Sequence, residues 1–426
     1  VLNDEEWRGM TVAIDVRARY SQARAEVLRQ GLQLAAAPIG AYRTGSLLLR
    51  GSPTVAGFLA GWLSAEFPPH VVTGHALSGV GPLSIGRVAT SWAAQRADHI
   101  LTAALQDSFG AQYHDAVCHP ISDPPERRGG MLHSAAGHRR YAAKTSDIAY
   151  GPDTRDNLLD IWRHRDIKVG DRAPVLLQIP GGAWTVNGRR PQGYPLMGRM
   201  AELGWVCVSI DYSKSPRKSW PAHIIDVKRA LAWVRENIAD YGGDPDYIAV
   251  TGGSAGGHLA SLVALTANDP RLQPGFEDVD TTVQAAAPFY GVYDLTDAEK
   301  MHEMMMPFLE LFVMKERYAD KPELFELASP ISHVHRDAPP FFVLHGESDS
   351  VIPTVQARAF CDALREAGAR TVGYAELPNA HHAFDLFATV RSRLTADAVA
   401  DFLGVVYGQH LWSRSRAARK HASPAG

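Results

Sequence analysis

The sequence predicts an α/β protein in which a mostly parallel central sheet is flanked by helices, with an added mainly helical N-terminal segment and a helical cap insertion. Three observations lead there. From about residue 145 onward, short and nearly continuous apolar runs alternate with amphipathic helical stretches. A glycine-rich pentapeptide with a central serine joins one such run directly to the next helix. One interval of roughly 50 residues, 291–339, is longer than a simple crossover needs and marks an insertion.

The candidate strands fall at 146–150, 157–163, 174–179, 205–210, 247–251, 283–290, 340–344 and 372–377. The middle ones lack polar alternation, as strands buried on both faces do. Between them, Ile224, Val227, Leu231, Val234 and Ile238 recur at steps of three and four, which makes one apolar helix face over 221–240. Pro221 suits the first turn of that helix. Before residue 140 the stretches 14–34 and 85–105 read as helices, and Ile85, Val88, Trp92 and Ala93 stand near helical spacing. Residues 120–130, rich in Pro, Arg and Gly, read as a linker or exposed loop. This divides the chain into an N-terminal extension (1–140), a catalytic domain (141–412) with a cap insertion at about 294–337, and a basic tail (413–426) expected to be solvated and frayed.

At 426 residues the chain exceeds one average domain without clearly making two, and an α/β domain of about 250–280 residues plus an added segment accounts for it. The net charge of −3, spread over both signs, argues against a nucleic-acid partner, which would call for a basic stripe. Cys118, Cys207 and Cys361 are odd in number and far apart, so neither a disulfide framework nor a zinc site is expected, and Cys207 reads as a small buried hydrophobe. Asp4, Glu5 and Glu6 make the first residues unlike a secretory signal, and no run of about 20 apolar residues could span a membrane. The uncharged stretch 51–65 is too short and contains Pro53; it reads as a helix buried against the protein or lying at a membrane surface. A cytoplasmic or cell-envelope-associated protein is expected, with membrane-surface contact and a homo-oligomer both left open.

The pentapeptide is Gly252-Gly253-Ser254-Ala255-Gly256. It follows the apolar run 247–251 and precedes a plausible helix at 258–267, the context that a nucleophile elbow requires. A serine on so sharp a turn needs small neighbours, and the N-terminus of the following helix favours developing negative charge. A serine hydroxyl also needs a base. With an elbow of this kind an acid and then a histidine follow in the chain. Asp349 and His382 both lie just past strand candidates, at the sheet ends where ligands meet open α/β sheets. Ser254 would attack a carbonyl, His382 would carry the proton, and Asp349 would fix the imidazole tautomer. Spacing alone does not separate His382 from His381, and Glu347 and Asp385 are rival acids; the order of residues favours Asp349 and His382.

An oxyanion needs preorganised donors. Pro180-Gly181-Gly182-Ala183-Trp184 follows the run 174–179, so the backbone amides of Gly181, Gly182 and Ala183, with that of Ala255, are the candidates. Within the insertion, Met301, Met304, Met305, Met306, Phe308, Leu309, Leu311, Phe312 and Met314 are compatible both with ordinary helix packing and with the wall of an acyl pocket. Trp184, Met305 and Phe308 are the candidate substrate contacts.

Taken with Asp211-Tyr212, Trp220-Pro221-Ala222, Asp226, Trp233, Asn237, Gly243-Asp244-Pro245 and the run from Gly252 to Leu259, the sequence resembles the hormone-sensitive-lipase-like esterases of the α/β-hydrolase superfamily over about 145–405. The N-terminal extension resembles that of some mycobacterial and related actinobacterial carboxylesterases. The resemblance implies an α/β-hydrolase fold and hydrolysis of short- or medium-chain acyl esters as small-molecule substrates, with no metal and no organic cofactor. Three positions depart from the family pattern. Pro180 stands where a His usually opens the oxyanion motif, Gly253 where Asp or Glu often precedes the serine, and Ser213-Lys214-Ser215-Pro216-Arg217 where Arg-Leu-Ala-Pro-Glu is common. The PGGAW and GGSAGGHL segments also resemble arylformamidase-like and xylan or feruloyl esterase-like relatives, so amide or formamide cleavage is the alternative activity. A non-catalytic hydrolase-fold binding protein is the third reading.

Overall fold

The computed structural model describes residues 83–121, 131–142, 144–186, 188–297, 301 and 305–422. The expected helix at 14–34, the stretch 51–65 and most of the expected linker at 120–130 lie outside them. Eight strands form one sheet: β1 (Ile148–Ala149), β2 (Leu158–Trp162), β3 (Ala173–Ile179), β4 (Val206–Ile210), β5 (Gly243–Gly253), β6 (Ala285–Phe289), β7 (Phe341–Gly346) and β8 (Val372–Leu377). Their spatial order is β1-β2-β4-β3-β5-β6-β7-β8. The pairs β1–β2 and β2–β4 are antiparallel and all the others parallel. Each of these strands overlaps one of the expected candidate strands.

The two faces of the sheet feed separate cores, with the period of two that a strand imposes. Val175, Leu177, Ile179, Val206, Val208, Ile210, Ile248 and Val250 enter one core. Leu176, Cys207, Tyr247 and Ala249 enter the other. Six long helices cover these faces: α1 (Leu83–Phe109), α2 (Tyr194–Glu202), α3 (Ala222–Asn237), α4 (Ala255–Leu265), α5 (Thr354–Glu366) and α6 (Val390–Ala422). Side chains of α3, α4 and α5 join the first core. Those of α1, α2 and α6 join the second.

Residues on both sides of the expected boundary at 140 share the second core. Ala97, Leu101, Ala104 and Leu105 of α1 are buried with Phe342, Ala375 and Phe402, and α1 packs on both β8 and α6. The approach is close: a Cβ at Gly373 would stand 2.6 Å from Ser108 Oγ. The expected basic tail also differs. Helix α6 continues through Arg414 to Ala422, a stretch rich in the strong helix formers Ala, Arg and Lys. Arg414 Nη1 donates to Asp244 Oδ2 at 3.2 Å. Between β6 and β7 the insertion holds a short helix (Met305–Phe308), a π-helical turn (Leu309–Met314) and another helix (Pro322–Ala328).

Two outcomes follow from the shared second core. Leu105→Ala, at a fully buried position, should lower unfolding free energy by about 2–5 kcal/mol in urea titration. A chain starting at residue 141 should lose its cooperative thermal transition, because the face lined by Phe342 and Phe402 is then uncovered; an unchanged melting curve would contradict the shared core.

Candidate active site

Strand β5 delivers Ser254 to the C-terminal edge of the sheet, and α4 begins at the next residue. Ser254 takes φ 57° and ψ −122°, a conformation that costs a non-glycine residue on the order of 1–3 kcal/mol and persists only where the surroundings enforce it. Here they do. The carbonyl of Ile179 closes over the turn so tightly that a Cβ at Gly256 would collide with its oxygen. The amide of Ser254 donates to Phe289 O at 2.9 Å, and its carbonyl accepts from His258 N at 2.9 Å.

His382 reaches Ser254 from the loop after β8. Its Nε2 lies 2.9 Å from Ser254 Oγ, and its Nδ1 lies 2.7 Å from Asp349 Oδ2. A carboxylate can only accept, so Nδ1 carries the proton and Nε2 is left to accept from the hydroxyl. Asp349 Oδ1 accepts from the amides of Val351 and Ile352 at 2.8 and 2.9 Å. Its side chain is fully buried. Burial alone would raise its pKa, but electrostatic attraction to His382 and hydrogen bonds from His345 and His382 outweigh burial and hold it well below the usual carboxylate range. The acid therefore stays ionised beneath the imidazole. Buried His345 supports it: its Nε2 donates to Ile352 O at 2.9 Å and stands 3.3 Å from Asp349 Oδ2.

The rival side chains have other partners. Glu347 Oε2 accepts from the amide of Asn379 at 2.8 Å. Asp385 Oδ1 accepts from the Tyr290 hydroxyl, and burial raises its pKa. His381 is buried beside His382. Tyr290 also explains Gly253: its ring lies 4.6 Å from that of His382, and a Cβ at 253 would stand 2.6 Å from its hydroxyl oxygen. The position before the serine is bare because the aromatic ring occupies that space.

The loop after β3 is held in an uncommon shape. Gly182, Ala183 and Trp184 have φ of 120°, 51° and 58° in succession. Tyr212 Oη donates to Pro180 O at 2.9 Å, and Ser215 N donates to Trp184 O at 2.8 Å. Gly181 N donates to Gln192 Oε1 at 2.7 Å. Of the four candidate amides, that of Gly181 is thus already engaged, whereas no partner takes those of Gly182, Ala183 and Ala255 among the described residues. Trp184 lies in the core at 2% exposure, and its Nε1 donates to His258 Nδ1 at 3.2 Å. His258 Nε2 in turn donates to Ala328 O at 2.7 Å, tying the insertion to the elbow helix. Met305 and Phe308 are half-buried against the first core, and Phe308 stacks on Phe312 at 5.6 Å. The amide of Trp220 donates to Val313 O at 2.9 Å, which docks the insertion on the segment before α3.

The bracing residues Gln192, Tyr212, His258, Tyr290 and His345 were not among the expected site residues. Tyr212 and His258 lie within the block that carries the family resemblance, which was the available signal. Gln192 and Tyr290 belong to no spacing pattern.

Two expectations come from this geometry. Gly253→Ala should displace Tyr290 and lower kcat about tenfold or more with the circular-dichroism spectrum preserved; full activity would contradict the packing account. Burial also depresses the imidazoles of His223 and His258 to about 3 and about 4. Both are neutral in the fold but take up protons on unfolding, so their contribution is fully present above pH about 6.5 and is lost as pH falls toward 4. The melting temperature should drop steadily between pH 6.5 and 5, and a flat profile there would count against it.

Known proteins with similar sequence and structure agree with this architecture. The BD-FAE family model matches residues 159–364. Esterase LipQ of Mycobacterium tuberculosis is 68% identical over 96% of this chain and 99% of its own length. LipM of the same organism, named a probable carboxylic ester hydrolase, is 52% identical over 79% of this chain and 78% of its own. Among solved structures, the Est2 esterase of Thermogutta terrifontis superposes with a TM-score of 0.51 at 25% identity, covering 60% of this chain and 89% of that one. The chain belongs to the hormone-sensitive-lipase-like esterases of the α/β-hydrolase fold, in the family of LipQ and LipM, and is a carboxylic ester hydrolase.

Proposed function

We propose that the chain hydrolyses short- to medium-chain acyl esters through an acyl-enzyme on Ser254. The observation that carries this reading is the continuous chain of contacts from Ser254 Oγ through His382 to Asp349, at 2.9 and 2.7 Å. Ser254 Oγ attacks the ester carbonyl carbon while its proton passes to His382 Nε2. The carbonyl π electrons move to oxygen, and the oxyanion is met by amides of Gly182, Ala183 and Ala255. Collapse breaks the bond to the alcohol, which leaves with the proton from His382. Water then attacks the acyl-enzyme, gives a proton to the same Nε2, and the second collapse returns that proton to Ser254 Oγ as the carboxylic acid departs. Asp349 remains ionised throughout and stabilises the transient imidazolium.

The preference for modest acyl chains rests on the insertion. Met305 and Phe308 present flexible or flat apolar surface, half-buried on the core face that carries the elbow helix.

Ser254→Ala should lower kcat/KM for p-nitrophenyl esters by about 10⁴-fold or more, and undiminished turnover by the folded variant would overturn the assignment of the nucleophile. Met305→Trp should shift the optimum toward shorter acyl groups across an acetate-to-decanoate series; an unchanged profile would remove the insertion from the acyl site. Matched esters and anilides, run side by side, should show ester cleavage dominant.

A further inference from the structure

The loop 180–184 carries three consecutive residues at positive φ, two of them not glycine. Such a backbone keeps its shape only if something outside it enforces that shape. Tyr212 grips the loop at its start, through Pro180 O, and Ser215 and His258 grip its end, through Trp184. Between these grips one residue is held from the side. Gln192 Oε1 accepts from Gly181 N at 2.7 Å, and Gln192 Nε2 donates to Gly181 O at 3.2 Å.

We propose that Gln192 is a positioning residue that sets the oxyanion-binding amides by clamping both backbone groups of Gly181. The inference rests on the proposed assignment of Ser254 as nucleophile and of Gly182, Ala183 and Ala255 as donors. Fixing the N–H and the C=O of one residue fixes the two peptide planes that flank it. The second of these planes contains the amide of Gly182, so the clamp aims a donor directly and Ala183 through it. It also settles why the Gly181 amide is no donor itself: it points at Gln192.

The chemistry of the side chain fits the task. A carboxamide supplies one acceptor and one donor, which is what a backbone N–H and C=O of one residue require. It is also neutral. A carboxylate in its place would keep the acceptor, lose the donor to Gly181 O, and bring negative charge next to a developing oxyanion. Gln192 lies directly before Gly193, the N-cap of α2, so the clamp stands at the entry to a helix packed against the sheet. Position 180, where the family usually has His, holds a proline with no N–H to offer.

The test compares Gln192→Ala and Gln192→Glu with the unaltered full-length chain. Three quantities are read: kcat and KM on p-nitrophenyl butyrate, the inhibition constant of a trifluoromethyl ketone that forms an oxyanion adduct with serine, and the melting temperature. Loosened amides should lower kcat about 10- to 100-fold with KM changed by less than about threefold. The ketone should bind more weakly in proportion to the loss in kcat/KM, and Gln192→Glu should be impaired at least as much as Gln192→Ala. Unchanged kcat and unchanged ketone affinity would overturn the proposal. So would a loss of kcat that follows the melting temperature while ketone affinity is retained, since that marks a purely structural role. Labelling of the unaltered chain by a fluorophosphonate probe separates the two levels of the argument. A folded chain that is not labelled overturns the nucleophile assignment itself, whereas a labelled chain with indifferent Gln192 variants overturns only the clamp.

Discussion

The close approach of the Ile179 carbonyl to the turn between β5 and α4 is the constraint on which the rest of the site depends. Parallel pairing of β3 with β5 brings the two strand ends together, with Ile179 in register with Gly252. At that separation no side chain fits at Gly256, and the glycine-serine-glycine pattern follows as a steric requirement. The same contact presses the loop after β3 against the start of α4. Two segments distant in sequence, the loop after β3 and the start of α4, therefore converge beside Ser254. The strained φ of Ser254 and the positive φ run at 182–184 are the conformational costs of that convergence. Hydrogen bonds with Tyr212, Gln192, Ser215 and His258 offset them.

Electrostatically the site separates histidines of different kinds. His258 and His223 are fully buried, bonded and kept neutral by burial, so they act as framework. His382 links the Asp349 carboxylate to the Ser254 hydroxyl. Asp349 can stay charged in a dry pocket because two backbone amides and two imidazoles surround it. At Asp385, which accepts from the Tyr290 hydroxyl, burial outweighs the stabilising contacts and the pKa moves in the opposite direction.

Much of this was legible in the sequence, for identifiable reasons. A parallel sheet buries its middle strands on both faces, so those strands left compact apolar runs in the sequence. The elbow was legible because its steric demand restricts residue type over five adjacent positions. Asp349 and His382 were reached from chain order and their location after strands. The bracing contacts were not legible, since they join residues with no fixed offset: Gln192 meets Gly181 across a loop, and Tyr290 meets Asp385 across the sheet end. The boundary at 140 was drawn from a change in local pattern, which is blind to α1 packing against β8 and α6. Trp184 was expected among the substrate contacts, and the fold turns its indole inward to His258. The basic residues after 413 suggested a frayed tail, whereas α6 extends through them.

The central claim is that a covalent acyl intermediate forms at Ser254 and turns over through His382. The most direct test is rapid quenching of the chain during turnover of a p-nitrophenyl ester, followed by mass spectrometry of the intact protein and of its peptides. The account predicts an adduct of acyl mass carried by the peptide that contains Ser254. With His382→Ala that adduct should be absent on the same time scale. Steady turnover with no adduct, or an adduct on another residue, would contradict it.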